Sequence, residues 1–481
     1  VTSCFNEYFG SACLSFSLLF LMNQGQIDAL ENHANDQIKN IFLPKLNSGE
    51  WTGTMNLTEP QAGSDVGALI TKAEKNNDGS YAITGQKIYI SWGEHDLSTN
   101  ICHLVLARLP SSPKGSKGVS LFIVPKYIQN ENDEWLLENN VKAISLEKKM
   151  GMHGSPTAVI EYNRSQGWLV GEENAGLYAM FTMMNNARLN VGVQGIAIAE
   201  RSYQKALAFA KDRKQGFSLN KTKKERVNII EHPDVKRMLM EMKSQIEAMR
   251  GLAVITGETI DYSKQYAHSE QGKHYLNLVS LLTPIVKSWC TDQAVYITSL
   301  GIQVHGGMGF IEDTGAAQYY RDSRILPIYE GTNGIQALDL LKRKLFLENG
   351  KTFEKLLEKI REEAETCKRS SSSEIITIGN LLYSSVNSLE DAAKWLKEEL
   401  IRNPENAAAG ATPFLNMFGW TLGGWVMCRS SLHASNNKNL NEKFCKDKIN
   451  TSLFFCTTYL PTSSSLLSTI KESYKTVGTI C

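Results

Sequence analysis

The chain has 481 residues, with 51 Lys+Arg against 50 Asp+Glu for a formal charge of +1, and its composition is 42% hydrophobic and 21% charged. Such a chain can build a large core spread over several domains, which excludes global disorder. Balanced charge supplies no basic surplus for phosphate contacts, so nucleic acid is not an expected partner.

Nine cysteines are scattered from Cys4 to Cys481 without a Cys-x-x-Cys pair. That pattern argues against a disulfide framework and a structural metal site, and predicts a reducing compartment: cytoplasm, or mitochondrial matrix in a eukaryote. The apolar run Ala12 to Met22 carries two serines and lacks a basic leader or small-residue cleavage site, so it reads as a core helix and no membrane span is expected. The chain opens on Val1, already in helical material, and an N-terminal portion is expected to be missing.

In chain order, residues 1–50 read as helical: Ile27, Leu30, Ile38, Ile41 and Phe42 recur at helical spacing, and Pro44 is expected to end the run. Over residues 51–172 the apolar period drops towards two. A turn at Asn77 to Ser80 leads into Tyr81 to Ile83 and, past Thr84-Gly85, Lys87 to Ser91, which read as paired strands. Further strands are expected at His103 to Arg108, Val119 to Pro125, Thr157 to Tyr162 and Gly167 to Val170, giving a small barrel or sandwich.

Helical period returns over residues 173–346, with a polar insert from Asn220 to Arg226 read as a solvated loop and long helices at about 233–268 and 273–300. Residues 347–481 read as an additional helical domain, interrupted at Arg369 to Ser373 and Asn403 to Pro413. Its apolar stretch Phe414 to Cys428 carries Gly419-x-x-x-Gly423 and is short of the ~20 residues needed to span a bilayer, so it is expected to be a buried or subunit-interface helix.

No Gly-x-x-x-x-Gly-Lys-Ser/Thr loop or His-Glu-x-x-His occurs, and the glycines of His305 to Gly309 fail the dinucleotide spacing because Glu312 stands at the last glycine position. Three segments remain: Met55 to Asp65, Gln303 to Phe310, and Ile328 to Gln336. In the first, Thr58 and Ser64 supply hydroxyls, Pro60 stiffens the chain and Gly63 allows close approach of a ligand, although a bare structural turn would use the same residues. The third sets Glu330 between Tyr329 and Gly331, ahead of a helix capped by Thr332 or Asn333. An acid here would favour the helix dipole in any case, but an apolar flank can also desolvate it into a useful general base.

The ordered set Thr58-Glu59-Pro60-x-Ala62-Gly63-Ser64-Asp65, Gly85-Gln86-Lys87, Gln303-x-x-Gly306-Gly307-x-Gly309-Phe310 and Tyr329-Glu330-Gly331-Thr332-x-x-Ile335-Gln336 strongly resembles the acyl-CoA dehydrogenase flavoproteins. The resemblance covers residues 1 to about 346. It implies a mainly α fold with a central β domain: an N-terminal helical domain, a small β-barrel, a four-helix bundle and here an extra C-terminal helical domain.

It also implies FAD-dependent α,β-dehydrogenation of an acyl-CoA. Glu330 matches the base that takes the α proton, and its backbone N–H would polarise the thioester carbonyl together with a flavin ribityl hydroxyl. By the same resemblance, Leu57, Thr58, Tyr89 and Ser91 match flavin-ring contacts, with Tyr and Ser replacing the family's Trp and Thr. Arg213, Gln303, Gly306 and Gly307 match contacts to FAD from a neighbouring subunit, which implies at least a homodimer. Thr332 is also placed at the cofactor. Ser64, Asn185, Arg188 and Gly331 match the acyl-CoA side, with Asn185 replacing an often acidic residue.

The electron acceptor implied is electron-transfer flavoprotein. The C-terminal extension and the segments Trp51 to Met55 and Ile230 to Val235 resemble a long subgroup that includes 3-methylmercaptopropionyl-CoA dehydrogenases, among members acting on other acyl-CoAs. A competing reading is a nucleic-acid-binding relative of the same fold, tied to alkylation response. The 16 Lys+Arg against 14 Asp+Glu in residues 350–481 oppose it.

Overall fold

The computed structural model describes residues 1–219, 225–437, 439–472 and 477, and at 185 the backbone alone. The chain falls into two units, Cys13–Asn190 and Val1–Ala12 with Val191–Cys481. The first helix, α1 (Thr2–Ala12), belongs to the latter.

In the first unit, α2 (Leu14–His33) buries Leu14, Leu18, Leu21, Met22 and Leu30, as its apolar run requires. Next, α3 (Asp36–Ser48) starts where the Asn35 side chain accepts from Ile38 N at 2.9 Å, and it stops at Gly49 in left-handed backbone. Pro44 does not end this helix but lies inside it. Both Pro44 and Asn40, whose carbonyl loses its helical donor, are exposed, so water can take the missing bond.

Nine strands follow: β1 (Trp51–Asn56), β2 (Lys72–Lys75), β3 (Tyr81–Ser91), β4 (Asn100–Ala107), β5 (Ser120–Pro125), β6 (Tyr127–Gln129), β7 (Trp135–Glu138), β8 (Val141–Leu146) and β9 (Thr157–Val170). Seven form one sheet in the order β1-β4-β5-β9-β3-β2, with β8 also on β9, while β6 and β7 pair separately. A bridge from Lys72 to Arg108, with Ala73 N donating to Arg108 O at 2.8 Å, returns β2 to the end of β4. The strands thus close around Ile83, Val105, Phe122, Ile160 and Tyr162, a small barrel.

The segments 81–83 and 87–91, expected to pair with each other, are one strand, because the chain runs on through Thr84-Gly85 instead of turning, opposite a bulge at Asn163-Arg164 of the partner strand β9. A Cβ at Gly85 would sit 2.4 Å from Thr71 Oγ1, so the close approach of the chains admits only glycine. Likewise 157–162 and 167–170 merge in β9.

From α4 (Gly176–Asp212), the residues after Asn190 belong to the second unit. A ladder of β10 (Lys214–Phe217) and β11 (Arg226–Asn228) follows, which periodicity did not reveal. Residues 220–224 of the polar insert lie outside those described. The bundle continues through α5 (Pro233–Gln265), α6 (Glu270–His305), α7 (Ala316–Ser323) and α8 (Asn333–Lys342). Then come α9 (Lys351–Lys368), α10 (Ser373–Arg402), α11 (Pro404–Ala409), α12 (Ala411–Asn436), α13 (Glu442–Tyr459) and α14 (Thr462–Glu472).

The interruption expected at Asn403 to Pro413 is instead two helix starts: Asn403 caps α11 with Pro404 in its first turn, and Pro413 stands in the first turn of α12. Proline is tolerated there because those N–H groups have no helical acceptor. The apolar stretch of α12 is buried inside the unit, with Gly419 against the Trp289 ring of α6 and Gly423 against Trp289 and Phe455. Among the described residues no helix is long and apolar enough to cross a membrane.

Candidate active site

In the first unit, the Met55 to Asp65 segment leaves β1 yet stays stitched to β3. Ile88 N donates to Thr58 O at 2.9 Å, and Lys87 Nζ donates to Leu57 O at 3.0 Å. Glu59 turns back on Ala62 through two backbone bonds of 3.0 Å, and its buried carboxylate takes Lys87 Nζ at 2.8 Å, the Thr71 hydroxyl at 2.6 Å and Ile70 N at 2.7 Å. Burial pushes this carboxyl up, but the Lys87 charge and the hydrogen bonds outweigh it and hold it at about 2. Burial also pulls Lys87 down to about 8, which leaves it protonated at pH 7.

Leu57, Thr58 and Tyr89 are thereby brought to one place. A register shift between Lys87 and Ile90 puts Tyr89 in left-handed backbone, φ 60°, and leaves the residue 62% exposed instead of in the barrel core. Ser91 is half-buried opposite Thr157. Ser64 lies exposed on the loop beyond Ala62, and Arg188 is buried on α4. The side chain of Asn185 is outside the described residues.

The second unit carries the other candidates. Glu330, half-buried, and Gly331 both adopt left-handed backbone, φ 57° and 83°. Thr332 rather than Asn333 is the cap of α8, accepting from Ile335 N at 3.3 Å. Tyr329, its phenol held well above the ordinary value by burial and then by the Glu330 charge, donates to Gln194 Oε1. Lys287 Nζ, from α6, donates to Gly331 O at 2.9 Å and Asn333 Oδ1 at 2.8 Å.

Arg213 and Gln303 are both exposed, and their neighbourhoods meet because the Phe209 ring stacks on His305 at 4.5 Å between centroids. The Arg213 carbonyl accepts from Ile229 N at 2.8 Å, which ties the end of α4 to the turn after β11. Beyond α6 the chain opens: Gly306, φ 60°, and Gly307 would each place a Cβ in empty space, and Met308, Phe310 and Ile311 stand exposed.

Two clusters escaped sequence reasoning. The Glu59–Lys87 pair joins two of the recognised motifs, a link that their separation in sequence hides. Lys287 had a signal, a lone cation inside the apolar run Thr283 to Trp289, but no motif drew attention to it.

Comparison with known proteins decides what this arrangement belongs to. Residues 54–165 match the acyl-CoA dehydrogenase middle-domain model, 174–345 its C-terminal-domain model, and 356–480 an acetyl-CoA dehydrogenase C-terminal-like model. The 3-methylmercaptopropionyl-CoA dehydrogenase of Ruegeria pomeroyi is 45% identical over 470 residues, covering 97% of this chain and 79% of its own. The chain belongs to the acyl-CoA dehydrogenase family.

A butyryl-CoA dehydrogenase of Syntrophomonas wolfei is 33% identical over 97% of this chain and 78% of its own. The crystal structure of a Bacillus anthracis acyl-CoA dehydrogenase complexed with FAD shares the fold, with a TM-score of 0.73 at 22% identity over 91% of this chain and 72% of that one. Membership makes this chain an oxidoreductase with FAD as cofactor. The residues fit such a group: a pyrophosphate needs exposed donors and close backbone approach, which Arg213, Gln303 and the open Gly306-Gly307 backbone offer.

Proposed function

We propose that this acyl-CoA dehydrogenase oxidises a short acyl-CoA thioester to its 2-enoyl-CoA, with Glu330 as the base that accepts the α proton. When bound, FAD supplies the acceptor for the β hydrogen, which departs as hydride while the α C–H electron pair becomes the new C=C bond. The observation that carries the reading is the Tyr329–Thr332 turn: a half-buried carboxylate held in left-handed backbone, with the Gly331 carbonyl tied to Lys287 and the Glu330 carbonyl accepting from Gln336 Nε2 at 3.4 Å. A base so fixed loses little freedom on reaching an α carbon, and its own N–H can polarise the thioester carbonyl.

Leu57, Thr58, Tyr89, Ser91 and Thr332 would hold the flavin, and Arg213, Gln303, Gly306 and Gly307 its dinucleotide end. Ser64, Asn185, Arg188 and Gly331 would line the thioester's path. Exposure of Phe310 and its neighbours beside the open glycines supports a homo-oligomer in which that loop meets a second copy. The reading also includes a cytoplasmic location and electron-transfer flavoprotein as acceptor. The substrate we favour is 3-methylthiopropionyl-CoA, supported by 45% identity along nearly the whole chain. The butyryl-CoA relative supports the same class of short acyl chain.

Anaerobic bleaching of the bound flavin by a panel of acyl-CoAs tests this: 3-methylthiopropionyl, butyryl, long straight-chain and aromatic thioesters. The first is expected to bleach fastest. Glu330→Gln should keep a yellow, folded protein whose reduction is slowed about 10³-fold, within the range of a lost general base. Undiminished reduction in that variant would remove Glu330 from the role.

A further inference from the structure

We propose that Lys287 is a positioning residue for the base, setting the Glu330–Gly331 backbone through the Gly331 carbonyl; this rests on the reading of Glu330 given above. The lysine is fully buried on α6, and an ammonium taken out of water persists only where acceptors meet it. Two of those acceptors, Gly331 O at 2.9 Å and Asn333 Oδ1 at 2.8 Å, lie in the turn that carries Glu330. Asn333 is held in its turn, its side-chain N–H groups reaching Asp292 Oδ1 at 2.7 Å, Thr291 Oγ1 at 3.1 Å and Ser288 O at 3.2 Å. Its backbone N–H donates to Pro327 O at 3.0 Å, which closes the turn from the other side.

Helix electrostatics do not explain a cation here. Asn333 is the first residue of α8, and the positive end of a helix repels an ammonium. Backbone demand does explain it. A non-glycine residue in left-handed conformation costs on the order of 1 kcal/mol or more and persists only when its surroundings over-determine it. Glu330 and Gly331 both stand in that region, and without Lys287 the Gly331 carbonyl would lose the donor that fixes the second of the two peptides. The consequence is chemical, since an error of about 1 Å in the position of a base can slow proton transfer about 10²-fold.

The test uses holoenzyme variants of matched flavin content. Lys287→Met is expected to keep FAD and acyl-CoA affinity while flavin reduction slows about 10²-fold and the isotope effect from α-deuterated substrate rises. Lys287→Arg, which keeps a donor, is expected to recover much of the rate. Wild-type reduction and isotope effect in Lys287→Met would overturn the proposal, as would a loss confined to flavin content or thioester affinity. Should Lys287→Met fail to fold, Asn333→Ala asks the same question, with slowed reduction expected and the wild-type rate counting against us. Hydrogen exchange over residues 328–334 is read independently of turnover. Faster exchange in either variant supports the assignment, and unchanged exchange overturns it even if no thioester bleaches the wild-type flavin, an outcome that would defeat the functional reading instead.

Discussion

At the residue scale, the recognised motifs combine two kinds of group: those offered to a ligand and those that hold the offer steady. In the proposed reading Thr58, Tyr89 and Ser91 would be of the first kind, while the buried Glu59–Lys87 pair is of the second. Because both members of that pair are buried, removing one leaves the other charge without compensation. Lys87→Met is therefore expected to destabilise the protein by about 3–5 kcal/mol, read as a lowered urea midpoint, and to loosen FAD through the freed Leu57 carbonyl. A midpoint unchanged from wild type would mean that the pair contributes nothing. Sequence alone made Glu59 and Lys87 visible as motif letters, but their bond depends on the segment that leaves β1 running against β3.

At the element scale, departures from expectation share one cause. Pro44, Thr84-Gly85, Pro404 and Pro413 read as breaks because local propensity disfavours continuing there, and in each case the surroundings supplied what the local rule lacked. An exposed carbonyl can turn to water at Asn40, strand pairing carries the chain straight through Gly85 where Thr71 packs close, and a first helical turn accepts each later proline. Gly419 shows the converse. Its Gly-x-x-x-Gly spacing announced close packing, but the partner is Trp289 of α6, two residues beyond Lys287. A Cβ there would stand 2.3 Å from a ring carbon, so Gly419→Ala is expected to cost about 1–3 kcal/mol by overpacking. Thermal unfolding checks this, and a variant as stable as the parent would show that α12 can shift freely off the ring.

At the scale of the whole molecule, buried titratable groups set an acid limit to stability. Burial first, and then the Lys126 charge, push His103 down to about 3, with its Nδ1 2.7 Å from Thr54 Oγ1. Its folded value lies below the ordinary 6.5, so the stability it contributes is complete above that pH and is lost as pH falls towards 3. Glu59 acts in the same sense lower down: its contribution is complete above 4.5 and drains as pH falls through about 2. Urea midpoints are therefore expected to decline from pH 6.5 downwards, with His103→Gln flattening the upper part of the decline. An identical slope in that variant would exclude His103 as a source.

By itself the sequence determined the order of helical and sheet regions, the family, and the identity of the candidate base, because hydrophobic period and short motifs are local properties of a chain. Tertiary structure decided which residues hold those motifs in shape. Lys287 meets the Glu330 turn and Lys87 meets Glu59 only after distant segments pack, and a buried charge finds its acceptors by geometry that no spacing along the chain encodes.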